Sequence, residues 1–359
     1  MKTFKTLHGE ILFPAFFPDA TRAVVKSVDS FDLKSSKVDG IIVNAYHLFT
    51  SPYLIDTIKN FGGIHKFMNW QGPIISDSGG FQVMSLIREN PKYGKILNDK
   101  VVFKPENSER IILTPEKCIQ IQLKLKSDIL MCLDDCTKPD DSRKEQEKSV
   151  ERTINWAKKC KDEFNRLTKG KKQKPLIFAI VQGGNDKKLR EKCAKELIKI
   201  GFDGFGFGGF PINKNNDLIT DILKLTAELI PDNLPKYAMG IGKPENLVEC
   251  FKMGYDLFDC VIPTREARHK KLYIFKEDIN SIDILRENFY YNLYGDIERL
   301  MKDKNPVSSL CDCHLCKNYS RAYLYNLFKA NDSLAIRFAT LHNLRFYSML
   351  TDILKQIKI

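Results

Sequence analysis

Apolar runs of strand length recur along the chain, and each stops at or beside a Gly, Asp, Asn or Gln. They lie at residues 12–18, 41–46, 73–76, 129–133, 176–181, 205–208, 237–241 and 257–262. Between most of them lie charge-rich stretches whose apolar positions repeat at helical spacing, most plainly over residues 145–167 and 186–200. Strand-then-helix alternation predicts parallel βαβ units. Eight such units in about 250 residues fit a (β/α)8 barrel, with a doubly wound open sheet as the alternative α/β architecture. Two stretches break the alternation. Residues 93–114 contain Val101-Val-Phe103 and Ile111-Ile-Leu113 and predict a small inserted hairpin, followed by a helix with Thr114 as N-cap and Pro115 in its first position. Lys169-Gly-Lys-Lys-Gln-Lys174 predicts an exposed loop.

The barrel reading carries a claim about chemistry, because active sites in that fold sit at the C-terminal ends of the strands. Those ends read Asn44-Ala-Tyr-His47, Asp77-Ser-Gly-Gly80, Asp134-Asp-Cys136, Gln182-Gly-Gly184, Gly208-Gly-Phe210, Met239-Gly240 and Asp259. Carboxylates, amides and glycines would converge on one mouth, suited to a polar planar ligand. Asp259 interrupts the apolar run from Leu257 to Ile262. Buried charged and alone, it would cost several kcal/mol. It therefore either lines a cavity or pairs with a cation, and Arg265, Arg268, His269, Lys270 and Lys271 follow it. Pairing with Arg265 or Arg268 is the purely structural reading. A carboxylate beside a cationic loop is equally suited to work on a polyanion.

Charge adds to the second reading. The 359 residues carry a net charge of +12, which favours a nucleic acid or another polyanion as partner. With 43% hydrophobic residues a packed core is expected, in one large domain or two ordinary ones. No secretory leader and no membrane-length apolar run is present, so a cytoplasmic location and reduced thiols are expected. Cys118, Cys132, Cys136, Cys160, Cys193, Cys250 and Cys260 lie scattered in apolar or amphipathic contexts and predict buried free thiols.

The other three cysteines differ. Cys311-x-Cys313-x-x-Cys316 is followed by His342, with 25 residues between Cys316 and His342. Three thiolates and one imidazole close a tetrahedral zinc site with no open position, so the metal is expected to be structural, one Zn2+ per chain. His314 is a rival fourth ligand, sterically awkward beside Cys313. Tyr319, Tyr323 and Leu327 predict a helix between the knuckle and a second helix carrying His342.

Ser76-Asp-Ser-Gly-Gly-Phe-Gln82, Asp134-Asp-Cys-Thr137, Val181-Gln-Gly-Gly184, Met239-Gly-Ile-Gly-Lys-Pro244, Phe258-Asp-Cys-Val-Ile-Pro-Thr-Arg265 and the Cys311/Cys313/Cys316/His342 set resemble the tRNA-guanine transglycosylases of bacterial type. Tyr319-Ser-Arg-Ala-Tyr323 and Thr340-Leu-His-Asn343 add to the likeness, which runs from about His8 to about Tyr347. The resemblance implies a zinc-containing (β/α)8 barrel over residues 1–275, with residues 276–359 forming a zinc-binding subdomain and C-terminal helices. It implies exchange of the wobble guanine of tRNAs with GUN anticodons for a 7-deazaguanine. Asp259 would be the nucleophile and Asp77 the general acid/base. Asp134 and Gln182 would read the base edge with backbone at Gly209 and Phe210. Met239 and Phe81 would sandwich the ring, Ser78 would join the substrate contacts and Asn44 would orient Asp77. Arg265, Arg268, Lys270 and Lys271 would meet the anticodon loop. A homodimer is also implied.

The chemistry agrees with these roles. Replacing one base by another with retained configuration takes two displacements, hence one ionised carboxylate as nucleophile and a second acid for proton transfer. The base must leave its stack to reach a barrel mouth. Where bacterial members carry Gly-Gly-Leu-Ala-Val-Gly-Glu, this chain reads Gly208-Gly-Phe-Pro-Ile-Asn-Lys214. Lys214 replaces the Glu that helps with the aminomethyl group of 7-aminomethyl-7-deazaguanine (preQ1), whereas the bulk of Cys136 and Ile212 suits a preQ1-sized pocket. The expected base is preQ1. The alternatives are queuine salvage, a DNA-directed exchange and a non-catalytic tRNA-binding accessory subunit, the last disfavoured by the presence of Asp77, Asp134 and Asp259.

Overall fold

The computed structural model describes residues 2–104, 110–139, 141–279, 281–286 and 288–357. Eight parallel strands form one sheet: β1 (Ala15–Pro18), β2 (Ile41–Asn44), β3 (Ile74–Asp77), β4 (Ile129–Met131), β5 (Leu176–Val181), β6 (Gly204–Phe207), β7 (Lys236–Ala238) and β8 (Leu257–Cys260). From β2 to β8 each strand pairs with the next in the chain, and β8 returns to pair with β1. The last seam, between β1 and β2, is held by a parallel bridge from Asp19 to Ile42 and by the Ala20 N–H on the Ile42 carbonyl at 2.7 Å. The sheet is thus a nearly closed barrel, as the alternation predicts, and the open-sheet alternative falls away.

Period-two alternation decides what faces inward. Phe17, Ile42, Ile75, Met131, Phe178, Ile180, Tyr237 and Leu257 fill the barrel interior as one cluster. Their neighbours Phe16, Val43, Ile74 and Phe258 pack outward against the helices. Continuing the inward parity by two residues puts Asn44, Asp77 and Asp259 at the top of the same lumen. The bottom is plugged by an antiparallel hairpin, Thr3–Thr6 with Gly9–Leu12, that was not legible as separate strands. Its Phe4 packs edge-on to Phe178, 5.8 Å between centroids.

The helices fall where the periodicity places them. The long one spans Arg143–Thr168, and Asp186 caps Lys187–Ile200 by accepting from the Leu189 N–H. Thr114 caps Pro115–Leu125, with Pro115 in the first turn. The 169–174 loop is exposed. The inserted hairpin is larger than expected: Gly94–Ile96 joins Val101–Phe103 and Ile111–Leu113 as a third antiparallel strand. The glycine at the head of that extra strand left it without an apolar signature.

Beyond β8, helix Ile262–Arg268 leads into strand Lys271–Phe275, which pairs antiparallel with Tyr290–Tyr294. The long helix Ser333–Leu354 packs over both and against β1. Its buried Asn343 donates to the Pro263 and Lys271 carbonyls at 3.0 and 2.9 Å and accepts from the Tyr273 N–H at 3.2 Å. Its Tyr347 hydroxyl donates to the Gly242 carbonyl. The C-terminal helix therefore clamps the segments that follow β7 and β8.

Candidate active site and metal centre

A pocket of about 280 Å³ opens at the C-terminal end of the barrel. Asp77, Asp134 and Asp259 line it together with Phe81, Gln82, Cys136, Gln182, Gly209, Phe210, Met239 and Gly240. The strand ends named from the sequence thus meet in one cavity, drawn from β3, β4, β5, β6, β7 and β8.

Asp77 ends β3 beside Asn44 at the end of β2, the two being register partners. The Asn44 Nδ2 donates to Asp77 Oδ2 at 2.8 Å, while its Oδ1 accepts from the Tyr46 N–H at 3.0 Å. Burial pushes the Asp77 carboxyl up to about 7, the negative charge of Asp259 adds to the rise, and the Ser78 and Gly79 N–H groups pull against it. Gly79 is needed here: its φ is +77°, and a Cβ would lie 2.4 Å from that of Tyr46. Ser78 is buried and does not line the pocket. Its hydroxyl accepts from the Gly80 N–H at 3.1 Å and so supports the turn.

Asp259, half-buried near the end of β8, has partners that sequence reasoning missed. Its Oδ1 accepts from the Tyr237 hydroxyl at 2.6 Å and from the Gly240 N–H at 2.8 Å. Burial raises its carboxyl to about 6, and these two donors limit the rise. In the sequence Tyr237 is only the first residue of the apolar run 237–241. The available signal was parity, because it sits two residues before Met239 in an inward register. The proposed structural pairing of Asp259 with Arg265 or Arg268 does not form. Arg265 meets Glu266 at 3.4 Å, and Arg268 donates to the Thr264 carbonyl at 3.0 Å.

Asp134 and Asp135 separate by direction. Asp135 turns outward into an ion pair with Arg88 at 2.7 Å and a second with Arg152. Asp134 turns inward and accepts from Gln182 Nε2 at 2.6 Å. Burial holds the Asp134 carboxyl up near 7. The amide oxygens of Gln82 and Gln182 are buried without a hydrogen-bond partner among the described residues, and both residues line the pocket. Such acceptors call for a ligand N–H. Phe81 and Phe210 meet edge-on at the rim, 5.7 Å between centroids. The arrangement offers an acid pair for proton transfer and nucleophilic attack, amide and carboxylate groups for a flat heterocycle, and aromatic and thioether walls.

The basic residues Arg265, Arg268, Lys270 and Lys271 lie on and just after the helix that follows β8, outside the pocket lining. Lys270 meets Asp296 at 2.9 Å and Lys271 meets Glu266 at 3.3 Å. Both pairs are half-buried, and a phosphate offers each lysine an anionic partner of the same kind as the carboxylate it now meets.

Cys311, Cys313, Cys316 and His342 are all buried, and their ligand atoms lie within 4.8 Å of one another. A tetrahedral zinc–thiolate site has edges of about 3.8 Å, so the four groups fit such an ion. The His342 Nδ1 faces the sulfurs, 3.3 Å from Cys316 Sγ, and its Nε2 is 2.8 Å from the Tyr273 carbonyl, which fixes the ring. His314 is exposed and meets Asn318 instead, so it is not part of the set. The other cysteines are buried free thiols, with Cys260 half-buried. A second group, His8, His65 and Asp128, lies at the barrel bottom. There the two imidazoles stack at 3.5 Å, each toward its own oxygen of one carboxylate. Parallel rings do not aim both nitrogens at one ion, and the pattern is that of a hydrogen-bonded clasp.

Residues 1–358 match the family model described as queuine tRNA-ribosyltransferase. The queuine tRNA-ribosyltransferase of Blochmanniella pennsylvanica (strain BPEN) is 42% identical over 349 residues, covering 97% of this chain and 89% of that protein. That of Psychrobacter sp. (strain PRwf-1) is 39% identical over 344 residues, 96% and 85% of the two chains. That of Methylacidiphilum infernorum (isolate V4) is 39% identical over 350 residues, 96% and 88%.

Proposed function

The chain belongs to the queuine tRNA-ribosyltransferase family, a family of pentosyltransferases, and from that premise we propose the reaction it performs. It exchanges the wobble guanine of tRNAs with GUN anticodons for preQ1 in queuosine biosynthesis. The observation that carries the reading is the convergence of Asp77, Asp134 and Asp259 on one pocket whose unpartnered amide oxygens await a heterocycle.

In the first displacement, a carboxylate oxygen of Asp259 attacks the anomeric carbon of the wobble ribose. The bond to guanine breaks, and the electron pair leaves with the base. Asp77, titrating near 7, donates the proton that the departing ring nitrogen takes up. In the second displacement, the incoming base gives a proton to Asp77 and attacks the same carbon, and Asp259 leaves as a carboxylate. Two inversions retain the configuration. No energy source is consumed, because one N-glycoside replaces another.

Asp134 and Gln182 read the base edge, with backbone at Gly209 and Phe210. Phe81 and Met239 flank the ring, and Asn44 holds Asp77 while the pocket is empty. Ser78 acts at one remove, by fixing the turn beneath the base. Arg265, Arg268, Lys270 and Lys271 take anticodon-loop phosphates. Cys311, Cys313, Cys316 and His342 hold one zinc ion, which ties the knuckle to helix Ser333–Leu354 and takes no part in the chemistry. The protein works in the cytoplasm as a homodimer. No described helix is long and apolar enough to cross a membrane.

The departure at 208–214 makes queuine the competing base. A GUN-anticodon tRNA labelled with guanine at the wobble position, chased separately with preQ1 and queuine, tests the reading. Release by preQ1 alone is expected. Release by queuine moves the protein to salvage. Release from duplex DNA alone, or from no nucleic acid, overturns the proposal.

A further inference from the structure

Arg190 is 1% exposed, among the largest fully buried side chains of the protein, and no carboxylate among the described residues pairs with it. An unpaired buried charge is expensive and is expected only where specific acceptors surround it. Its acceptors here are three main-chain carbonyls. Nε donates to Gly184 at 2.9 Å, Nη1 to Val181 at 2.9 Å and Nη2 to Gly208 at 2.8 Å. The guanidinium lies over the Phe207 ring, 4.1 Å from its centroid. One side chain thus ties the end of β5 to the end of β6. The helix backbone that carries Arg190 also packs closely on this turn, since a Cβ on Gly183 would lie 2.7 Å from the Arg190 main-chain nitrogen.

These carbonyls belong to the strand ends that build the base-reading wall. In a trans peptide the carbonyl and the N–H point in opposite directions. Holding the Gly208 carbonyl on Arg190 therefore aims the Gly209 N–H away from the guanidinium. Gly208 and Gly209 line the pocket, and Arg190 does not. The Val181 carbonyl is shared between Arg190 and the Gly208 N–H, 2.9 Å in each case, which locks the two strand ends to one another beside Gln182. A cation behind a peptide also polarises it and strengthens its N–H as a donor.

We propose that Arg190 is a positioning residue for base recognition: it fixes and polarises the Gly208–Gly209 peptide so that the Gly209 N–H meets the electron-rich edge of the base. The inference rests on the base-exchange reading above. Guanine leaves with an electron pair, and the purine carbonyl shares that charge. A donor aimed there gains strength as the bond breaks. The side chain touches neither base nor ribose and acts through the peptide it holds. The three carbonyls are met by three separate nitrogens spread over one plane, a spacing that the single ammonium nitrogen of lysine cannot reproduce.

The test compares wild type, Arg190→Lys and Arg190→Met, each with near-ultraviolet circular dichroism and a melting curve to report folding. Two readouts follow: the KM for free guanine against the KM for tRNA in the exchange reaction, and direct calorimetric binding of guanine without tRNA. Both variants are expected to raise the KM for guanine by roughly ten- to a hundredfold and to weaken direct binding in step, with the KM for tRNA changed less than about twofold. Lysine should fall between wild type and methionine. A folded variant with wild-type guanine KM overturns the proposal, as does an equal rise in both KM values. If neither variant folds, Arg190 is a fold element first, and the proposal fails. If wild type binds guanine but exchanges none, the exchange reading has failed, and the binding readout still decides the role of Arg190.

Discussion

The Tyr237 hydroxyl donates to Asp259 Oδ1 over 2.6 Å, from an interior barrel strand to the carboxylate beside it. This bond favours the ionised form of an acid that burial otherwise raises to about 6. Tyr237→Phe removes it and leaves the ring in place. The Asp259 carboxyl then titrates higher, so less nucleophile is available in mild acid. The acidic limb of single-turnover guanine release should move up by about one pH unit, with a roughly fivefold loss near pH 6, approaching tenfold near pH 5, and little change above about pH 8. An unmoved limb would show that the phenol does not tune the carboxylate.

Asp77 gives a stability test with a defined sign. Its carboxyl titrates near 7 in the folded protein against 3.8 unperturbed. Between those values the folded state keeps a proton that the unfolded chain releases, so this group erodes stability as pH rises. Asp77→Asn removes the effect. Its advantage over wild type in unfolding free energy should be smallest near pH 4, grow through pH 6 and level off above pH 7, reaching on the order of 2–4 kcal/mol. Denaturant melts of both proteins at matched pH measure it, and an advantage that shrinks as pH rises contradicts the titration assigned to Asp77.

The metal centre predicts one tightly held zinc per chain by elemental analysis. Cys316→Ala should lose the metal and lower the melting temperature, because the knuckle anchors helix Ser333–Leu354, which clamps the segments after β7 and β8. Exchange activity should fall only as far as folding does. A variant that loses zinc and keeps the wild-type melting temperature would deny the site its structural role.

The basic cluster should act on tRNA and not on the base. Arg265→Ala combined with Arg268→Ala should raise the KM for tRNA about tenfold and flatten its dependence on the logarithm of salt concentration by about 1.4, for two lost phosphate contacts. The KM for free base should hold. An unchanged salt slope would place the phosphates elsewhere.

Much of this architecture is legible from residue order. The apolar runs marked the barrel strands, because a strand buried on both faces must be apolar along its length. Their last residues marked the site, because a strand end is where a polar side chain can reach a cavity. What escaped was whatever depends on partners distant in sequence. Tyr237 looks like any core aromatic until Asp259 is seen beside it. Arg190 looks like one more cation on a charged helix, since nothing local says that its fork reaches Gly184, Val181 and Gly208. Asp134 and Asp135 are identical as letters, and the barrel decides which turns to the pocket and which to Arg88 and Arg152. The strand Gly94–Ile96 begins on a glycine and carries too little apolar pattern to be seen alone.

The proposed exchange runs through a covalent bond between Asp259 and ribose. Wild-type protein mixed with unmodified GUN-anticodon tRNA, quenched in denaturant and digested, should yield a peptide spanning Asp259 that carries a ribosyl adduct by mass spectrometry. The adduct should vanish on a chase with excess preQ1, and Asp259→Ala should form none while exchange falls by at least about a thousandfold. An adduct on another residue, or full exchange by Asp259→Ala, would contradict the account.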